Sequence, residues 1–297
     1  MGEKIAVFSD VHGSATGLAA VYQDAQHLGA TDYWFVGDLL MPGPGVNEVW
    51  DLFCQINPSL IVRGNWDDLV INGVAGRIPP TKPSRLYFGR LAQYVASRVQ
   101  PGVVEQMAKW PLQQTRQVGK YIYTVSHNLP DLAMGQDLFP TNPAQNFDRL
   151  FSGQKAATTA QVAIYAHVHH ELMRYATDER LVLNPGSVGE PFNRQWDLQA
   201  DTRAQYMLLE VDEQGIAGIN YRHVAYDKEE DWQMACDYDL PYLELYRRQL
   251  DSGRVDTHNQ ELVAKVSEEH HYAQEYADFV KKIQQSKKNT CNFQSKQ

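Results

Sequence analysis

Up to about residue 65 the chain alternates between two hydrophobic periodicities, and this limits its fold more than any other property. Ile5–Ala6–Val7–Phe8, Tyr33–Val36 and Leu60–Ile61–Val62 are short apolar runs of the kind found in buried strands. Between them Leu18, Tyr22, Ala25 and Leu28, then Val46, Val49, Trp50 and Phe53, recur at helical spacing. Strand, helix, strand, helix, strand predicts a parallel or mixed sheet with helices packed on it. The stretch from Gly73 to Ser84, with three prolines, reads as a loop, and helical patterns resume around Leu86–Val99 and Val103–Trp110. Strands are then predicted at Tyr121–Val125, Val162–Tyr165, Leu172–Tyr175, Leu181–Leu183, Tyr206–Val211 and Ile216–Val224.

From about Lys228 the texture changes again. Leu243, Tyr246 and Leu250 predict one helix; Leu262, Val266, Tyr276, Val280 and Ile283 predict a longer one. The expected organisation is a domain over 1–227, a helical extension over 228–283 packed on it, and a polar tail over 284–297. Aromatic residues of the extension and its approach, such as Tyr226, Trp232 and Tyr246, suit either helix packing or a base-stacking wall.

The net charge of −9 disfavours a dedicated nucleic-acid or anionic-membrane binder, whose affinity comes from Lys and Arg neutralising phosphates. It leaves room for an enzyme that handles phosphates through bound cations. Three scattered cysteines give neither a disulfide framework nor a paired-cysteine metal site. No apolar run has membrane-spanning length, and the first residues lead into a strand rather than a signal peptide, so the expected location is cytoplasmic. At 297 residues the chain needs no metal merely to hold it together, so a metal site here is expected to be functional.

Each early strand runs into a polar cluster: Ser9–Asp10–Val11–His12–Gly13, Gly37–Asp38, and Arg63–Gly64–Asn65–Trp66–Asp67. Later strands deliver His127–Asn128 and His167–Val168–His169–His170. Ligands of open α/β sheets bind at the carboxyl ends of strands, so these clusters are expected to converge. Any one of them could be a turn or a helix cap. Together they form a nitrogen and oxygen donor set without sulfur, suited to borderline divalent metals such as Mn, Fe, Zn, Co or Ni.

The series Asp10-x-His12, Gly37–Asp38, Gly64–Asn65-x-Asp67, His127 and His167-x-His169 resembles the calcineurin-like metallophosphoesterase superfamily. Asn184–Pro185–Gly186–Ser187–Val188–Gly189 with Pro191 narrows the likeness to its small bacterial phosphodiesterase-like branch. The resemblance spans Ile5 to about Asp227. It implies a four-layer α/β/β/α sandwich of two mixed sheets, here with a C-terminal helical addition. It further implies two divalent cations, most plainly Mn or Fe, one taking Asp10, His12 and His169 and the other Asn65, His127 and His167, with Asp38 bridging. A hydroxide bridging those cations would attack phosphorus in small phosphorylated substrates. Nucleotide-like phosphodiesters or phosphoanhydrides, including dinucleoside polyphosphates, are the expected class. A phosphomonoesterase or protein phosphatase is the alternative, and a non-catalytic interaction scaffold on the same fold is the alternative of another kind.

Around that set, Arg63 is a candidate catalytic contact to phosphate or a surface ion-pair partner, and Asp67 orients a ligand histidine or caps a helix. Asn128 and Arg194 are candidate substrate contacts. His170 should face away from the ligand pair, and Asn184 with Ser187 organises the site floor or simply makes a turn. Trp66 stands where many superfamily members carry a histidine that protonates the leaving group. That departure predicts weak catalysis on poor leaving groups, because general acid help is worth ~10²–10⁴-fold.

Overall fold

The computed structural model describes residues 2–294. β1 (Glu3–Phe8), β2 (Asp32–Phe35) and β3 (Leu60–Ile61) pair in parallel, joined by crossover helices α1 (Ala15–His27) and α2 (Asn47–Ile56). Helices α3 (Asn65–Val74), α4 (Pro83–Ala96) and α5 (Val103–Met107) follow. A second sheet contains β4 (Gln113–Val118), β5 (Tyr121–Ser126), β6 (Val162–Ile164), β7 (Glu171–Tyr175) and β8 (Leu181–Pro185), with the short helix α6 (Ala144–Asp148) between β5 and β6. After helix α7 (Trp196–Gln199), β9 (Ala204–Asp212) and β10 (Gly215–Val224) return to the first sheet. The strand orders are β10-β9-β1-β2-β3 and β4-β5-β6-β8-β7, and each sheet mixes parallel and antiparallel pairs. Helices α8 (Lys228–Asp237), α9 (Leu243–Ser252), α10 (Gln260–Glu269) and α11 (Tyr272–Gln294) complete the chain.

Strand alternation explains the layering. Ile5, Val7, Trp34 and Val36 point to the second sheet, where they meet Tyr123, Val125, Val162 and Ile164 in a dry core. Their neighbours Ala6, Phe8 and Phe35 point the other way, into the helices through Leu18, Val49 and Phe53. On the far side, Ala163, Tyr165 and Val182 meet Phe147 and Leu150. Each buried Leu, Ile, Val or Phe side chain is worth ~1.5–3 kcal/mol, so a one-residue slip of β1 would misplace both sets at once. The fold is the expected α/β/β/α sandwich of two mixed sheets with added C-terminal helices.

The structure corrects several sequence expectations. β4, Gln-Gln-Thr-Arg-Gln-Val, is a strand although nearly all polar, because it is a sheet edge paired only to β5. The long helix expected over Leu262–Ile283 is two helices, broken where His271 takes a left-handed φ of 57°. The tail expected from residue 284 is helical through Gln294, since no glycine or proline interrupts α11, and 295–297 lie outside the described residues. α8 went unforeseen because it buries only Asp231 and Ala235.

Asp231 ties α8 to the start of α1. Fully buried, it accepts the Ser14 hydroxyl at 2.6 Å and the Thr16 N–H at 3.1 Å, at the start of α1. The Tyr276 hydroxyl of α11 donates to the Ile78 carbonyl at 2.8 Å. Among the described residues no helix is long and apolar enough to cross a membrane.

Candidate metal centre

The carboxyl ends of β1, β2 and β3 face those of β5, β6 and β8, and the polar clusters meet there. The backbone turns sharply as it leaves the strands: Asp10, His12, Asp38, His167 and His169 all have positive φ, between 52° and 68°. Such conformations cost on the order of 1–3 kcal/mol each for side-chain-bearing residues and persist where the surroundings fix them. Here the fixing is visible, because Asp10 N donates to the Gly37 carbonyl and Val11 N to that of Asp38. Gly37 is required by its neighbours, since a Cβ there would lie 2.6 Å from His127 Nδ1.

Each of four imidazoles is anchored by one nitrogen to a backbone carbonyl. Nδ1 of His12 lies 2.7 Å from the Met41 oxygen, Nδ1 of His127 2.7 Å from Val36, and Nδ1 of His169 2.6 Å from Glu190. His167 reverses the pattern, with Nε2 against the Gly135 peptide, 3.0 Å from its oxygen and 3.2 Å from its nitrogen. An N–H donated to a carbonyl fixes the ring and aims the opposite nitrogen inward, the usual arrangement of a ligating histidine. The inward atoms crowd together. His169 Nε2 is 3.2 Å from His12 Nε2 and 3.1 Å from Asp10 Oδ1, and His127 Nε2 is 3.1 Å from both Asp38 Oδ2 and Asn65 Oδ1.

Two groups can each surround a cation, Asp10–His12–His169 and Asp10–Asp38–His127, with Asp10 common to both. Both carboxylate oxygens of Asp10, and Oδ2 of Asp38, are buried without a hydrogen-bond partner. Buried charged oxygens are seldom left so. The residues present therefore fit divalent cations.

The electrostatics agree. Burial opposes charge on Asp10, but His169, His127 and His12 outweigh it and hold the carboxyl well below its ordinary range. Asp38 is lowered likewise, burial being overcome by His127 and then His12. Burial also opposes charge on His127, yet Asp38 and Asp10 raise it to about 10; His169, beside Asp10, rises to about 9. His167, buried and near the positive His127, falls to about 4.

Other expected site residues are placed differently. Asp67 touches no histidine; its carboxylate accepts N–H groups from Asp38 and Leu39 at 3.0 Å and from Gly64 at 2.8 Å. It positions the backbone that carries Asp38. Arg63 pairs with Asp68 at 2.9 Å and donates to the carbonyls of Ala108 and Trp110, the surface ion-pair role that was its alternative. The Trp66 ring packs edge-on to His12, 5.2 Å between centroids, while the Trp66 backbone N–H donates to Asp38 Oδ1 at 2.7 Å. Asn128 is fully buried beside His127 with neither amide atom partnered. Arg194 is exposed and stacks over Phe139. His170 packs between Phe139 and Phe192. Ser187 donates to the Asp10 carbonyl and Asn184 to that of Ala166, so both do brace the site floor. Glu190 was missed; the only sequence hint was a carboxylate inside an otherwise apolar Gly-x-Pro turn.

The model of the calcineurin-like phosphoesterase superfamily domain matches residues 4–214, and the chain belongs to that superfamily. In fold it is similar to hypothetical protein PH1004 from Pyrococcus horikoshii OT3, at 17% identity and a TM-score of 0.67, covering 85% of this chain and 99% of that one. It is also similar to a metallophosphoesterase from Sphaerobacter thermophilus, at 21% identity and a TM-score of 0.61, covering 84% of this chain and 100% of that one. No curated protein matches the sequence.

Proposed function

We propose that the protein is a hydrolase that uses two divalent cations to cleave phosphodiester or phosphoanhydride bonds in small, nucleotide-like substrates. The observation that carries this is the set of three tethered imidazoles, His12, His127 and His169, whose Nε2 atoms close on the buried carboxylate oxygens of Asp10 and Asp38, with His167 packed against His127. One cation would be held by Asp10, His12 and His169, the other by Asn65, His127 and His167, with Asp38 serving both. Bound there, such cations polarise phosphoryl oxygens and make water acidic enough to supply a nucleophile near neutral pH.

The chain's own groups fix the rest. Asp38 keeps one oxygen on the Trp66 N–H and presents the other to the cluster, while Asp67 holds its peptide in place. Trp66 walls one side and carries no titrating proton, so a leaving group must depart without help from this position. Asn128 and Arg194 are proposed as substrate contacts, the first through its unpartnered amide, the second through an exposed guanidinium.

The test is a substrate screen of purified protein loaded with Mn²⁺ against diesters, monoesters and dinucleoside polyphosphates. Activity should vanish with chelator and return with Mn²⁺ better than with Ca²⁺, which prefers more oxygen ligands. Full activity in a rigorously metal-free preparation would sink the proposal.

A further inference from the structure

A cavity adjoins the metal centre, and His169 lines both. It lies where the start of β7, the end of β10 and the loop before α7 meet, with a volume of about 220 Å³. Pockets for drug-sized ligands measure ~300–1,000 Å³, so this one holds a single ring rather than a whole substrate.

Its charges are already matched. His223 is gripped between Asp201, 2.7 Å from Nδ1, and Glu171, 2.9 Å from Nε2, and Asp201 also accepts from Arg203. Among the described residues no Lys or Arg lines the cavity, so a second phosphate would find no counter-charge there. The groups left open are uncharged side-chain ends. Asn193 and Gln205 are each fixed by an accepted N–H, from Gln195 at 2.9 Å and from Ser187 at 3.5 Å, and each keeps its amide nitrogen without a partner among the described residues. His170 is fixed through Nδ1, 2.6 Å from the Val168 carbonyl, with Nε2 open in the same way. The Phe192 ring, edge-on to His170, adds an apolar face.

We infer that this cavity binds an uncharged, hydroxyl-bearing ring carried directly by the scissile phosphorus, the ribose of a nucleotide. This rests on the function proposed above. Amide N–H groups donate, imidazole nitrogens and carboxylates accept, and a hydroxyl answers both with one atom. The apolar face suits the carbon side of a sugar ring. A polyphosphate chain would bring phosphate rather than sugar beside His169, so the bond cleaved is a phosphodiester at the phosphorus that bears the ribose. Water oxygen joins that phosphorus and the bond to the leaving oxygen breaks. One proton of the water ends on the leaving alcohol and the other on the nucleoside monophosphate.

The experiment compares esters that share one leaving group, with Mn²⁺-loaded protein: the p-nitrophenyl esters of uridine 5′-monophosphate, of ribose 5-phosphate and of methyl phosphate. Wild type should favour the uridine ester over the methyl ester by ~10–100-fold in kcat/KM, chiefly through KM, as two or three added hydrogen bonds imply. The ribose ester should keep most of that preference. Asn193→Ala and Gln205→Leu should each cut the uridine-to-methyl ratio by ~3–10-fold. A general defect in folding or cation binding lowers all three esters together and leaves the ratio in place. A wild-type ratio near one, a preference that needs the base, or a ratio unmoved in both variants would overturn the inference and leave the proposed function standing. A protein that hydrolyses none of the esters would overturn both. Asn193 lies in a loop, so its variant decides the matter should Gln205→Leu not fold.

Discussion

Replacing Gly64 with alanine tests how tightly Asp38 is held. A Cβ at Gly64 would stand 2.7 Å from Asp38 Cγ, 2.8 Å from Asp38 N and closer still to Oδ1. Comfortable carbon contacts begin near ~3.5 Å, so the carboxylate must move by about 1 Å. It has nowhere to go: Oδ1 accepts the Trp66 N–H at 2.7 Å, and the Asp38 N–H is held by Asp67. Overpacking costs ~1–3 kcal/mol, and a broken hydrogen bond to a buried charge another ~1.5–3 kcal/mol, for a loss of about 4 kcal/mol. Unfolding entropy of ~2.1 cal/mol/K per residue amounts to roughly 0.6 kcal/mol/K for this chain, so Tm should fall by about 6 °C. Calorimetry in chelator isolates this packing loss. Repeating the scan in Mn²⁺ should show a larger gap, because the displaced Asp38 no longer serves the cations. A variant that melts with wild type and still binds two cations would refute the claim that Asp38 is locked by its surroundings.

Asp38→Asn should reduce cation content at both positions and lower turnover by several orders of magnitude, whereas His12→Ala should empty one; metal analysis per chain decides, and full occupancy in Asp38→Asn removes it from the shared role. Because Asp38 and Asp10 raise His127 to about 10 and Asp10 raises His169 to about 9, both imidazoles are protonated in metal-free protein at pH 7. Cation binding must then expel about two protons, and affinity should climb as pH rises toward 9. Calorimetric binding enthalpies that are the same in buffers of different ionisation enthalpy would contradict this. With Trp66 in place of an acid, rates on aryl phosphodiesters should fall steeply as leaving-group pKa rises, provided chemistry limits turnover; a flat dependence would mean that another group donates the proton.

The central strands and the polar clusters that meet at their ends were legible because each obeys a local rule: apolar runs of strand length, and polar residues where a strand stops. What was hidden depended on partners distant in sequence. β4 is polar because one edge has only solvent to satisfy, and no window of its own sequence shows that β5 waits beside it. Asp67 and Arg63 sit in one motif, and sequence distance alone could not show that one braces the Asp38 peptide while the other turns to Asp68. Leu262, Val266, Tyr276, Val280 and Ile283 keep one helical pattern, so the break at His271 leaves little trace in it. Glu190 was invisible for another reason: its carbonyl anchors His169 Nδ1 at 2.6 Å, a contact that exists only in the packed structure.

The bond from Ser14 to Asp231 joins residues 217 positions apart, and it sets an order of events during synthesis. At roughly 5–20 residues per second, Ser14 leaves the peptidyl-transferase centre about 10–40 s before its buried acceptor exists. Until then the start of α1, next to the loop carrying Asp10 and His12, is capped only by the Ser14 hydroxyl on the Gly17 N–H. A nascent chain halted before Asp227 would show Ser14 and Thr16 to solvent, and the loop would acquire its outer brace only when α8 arrives.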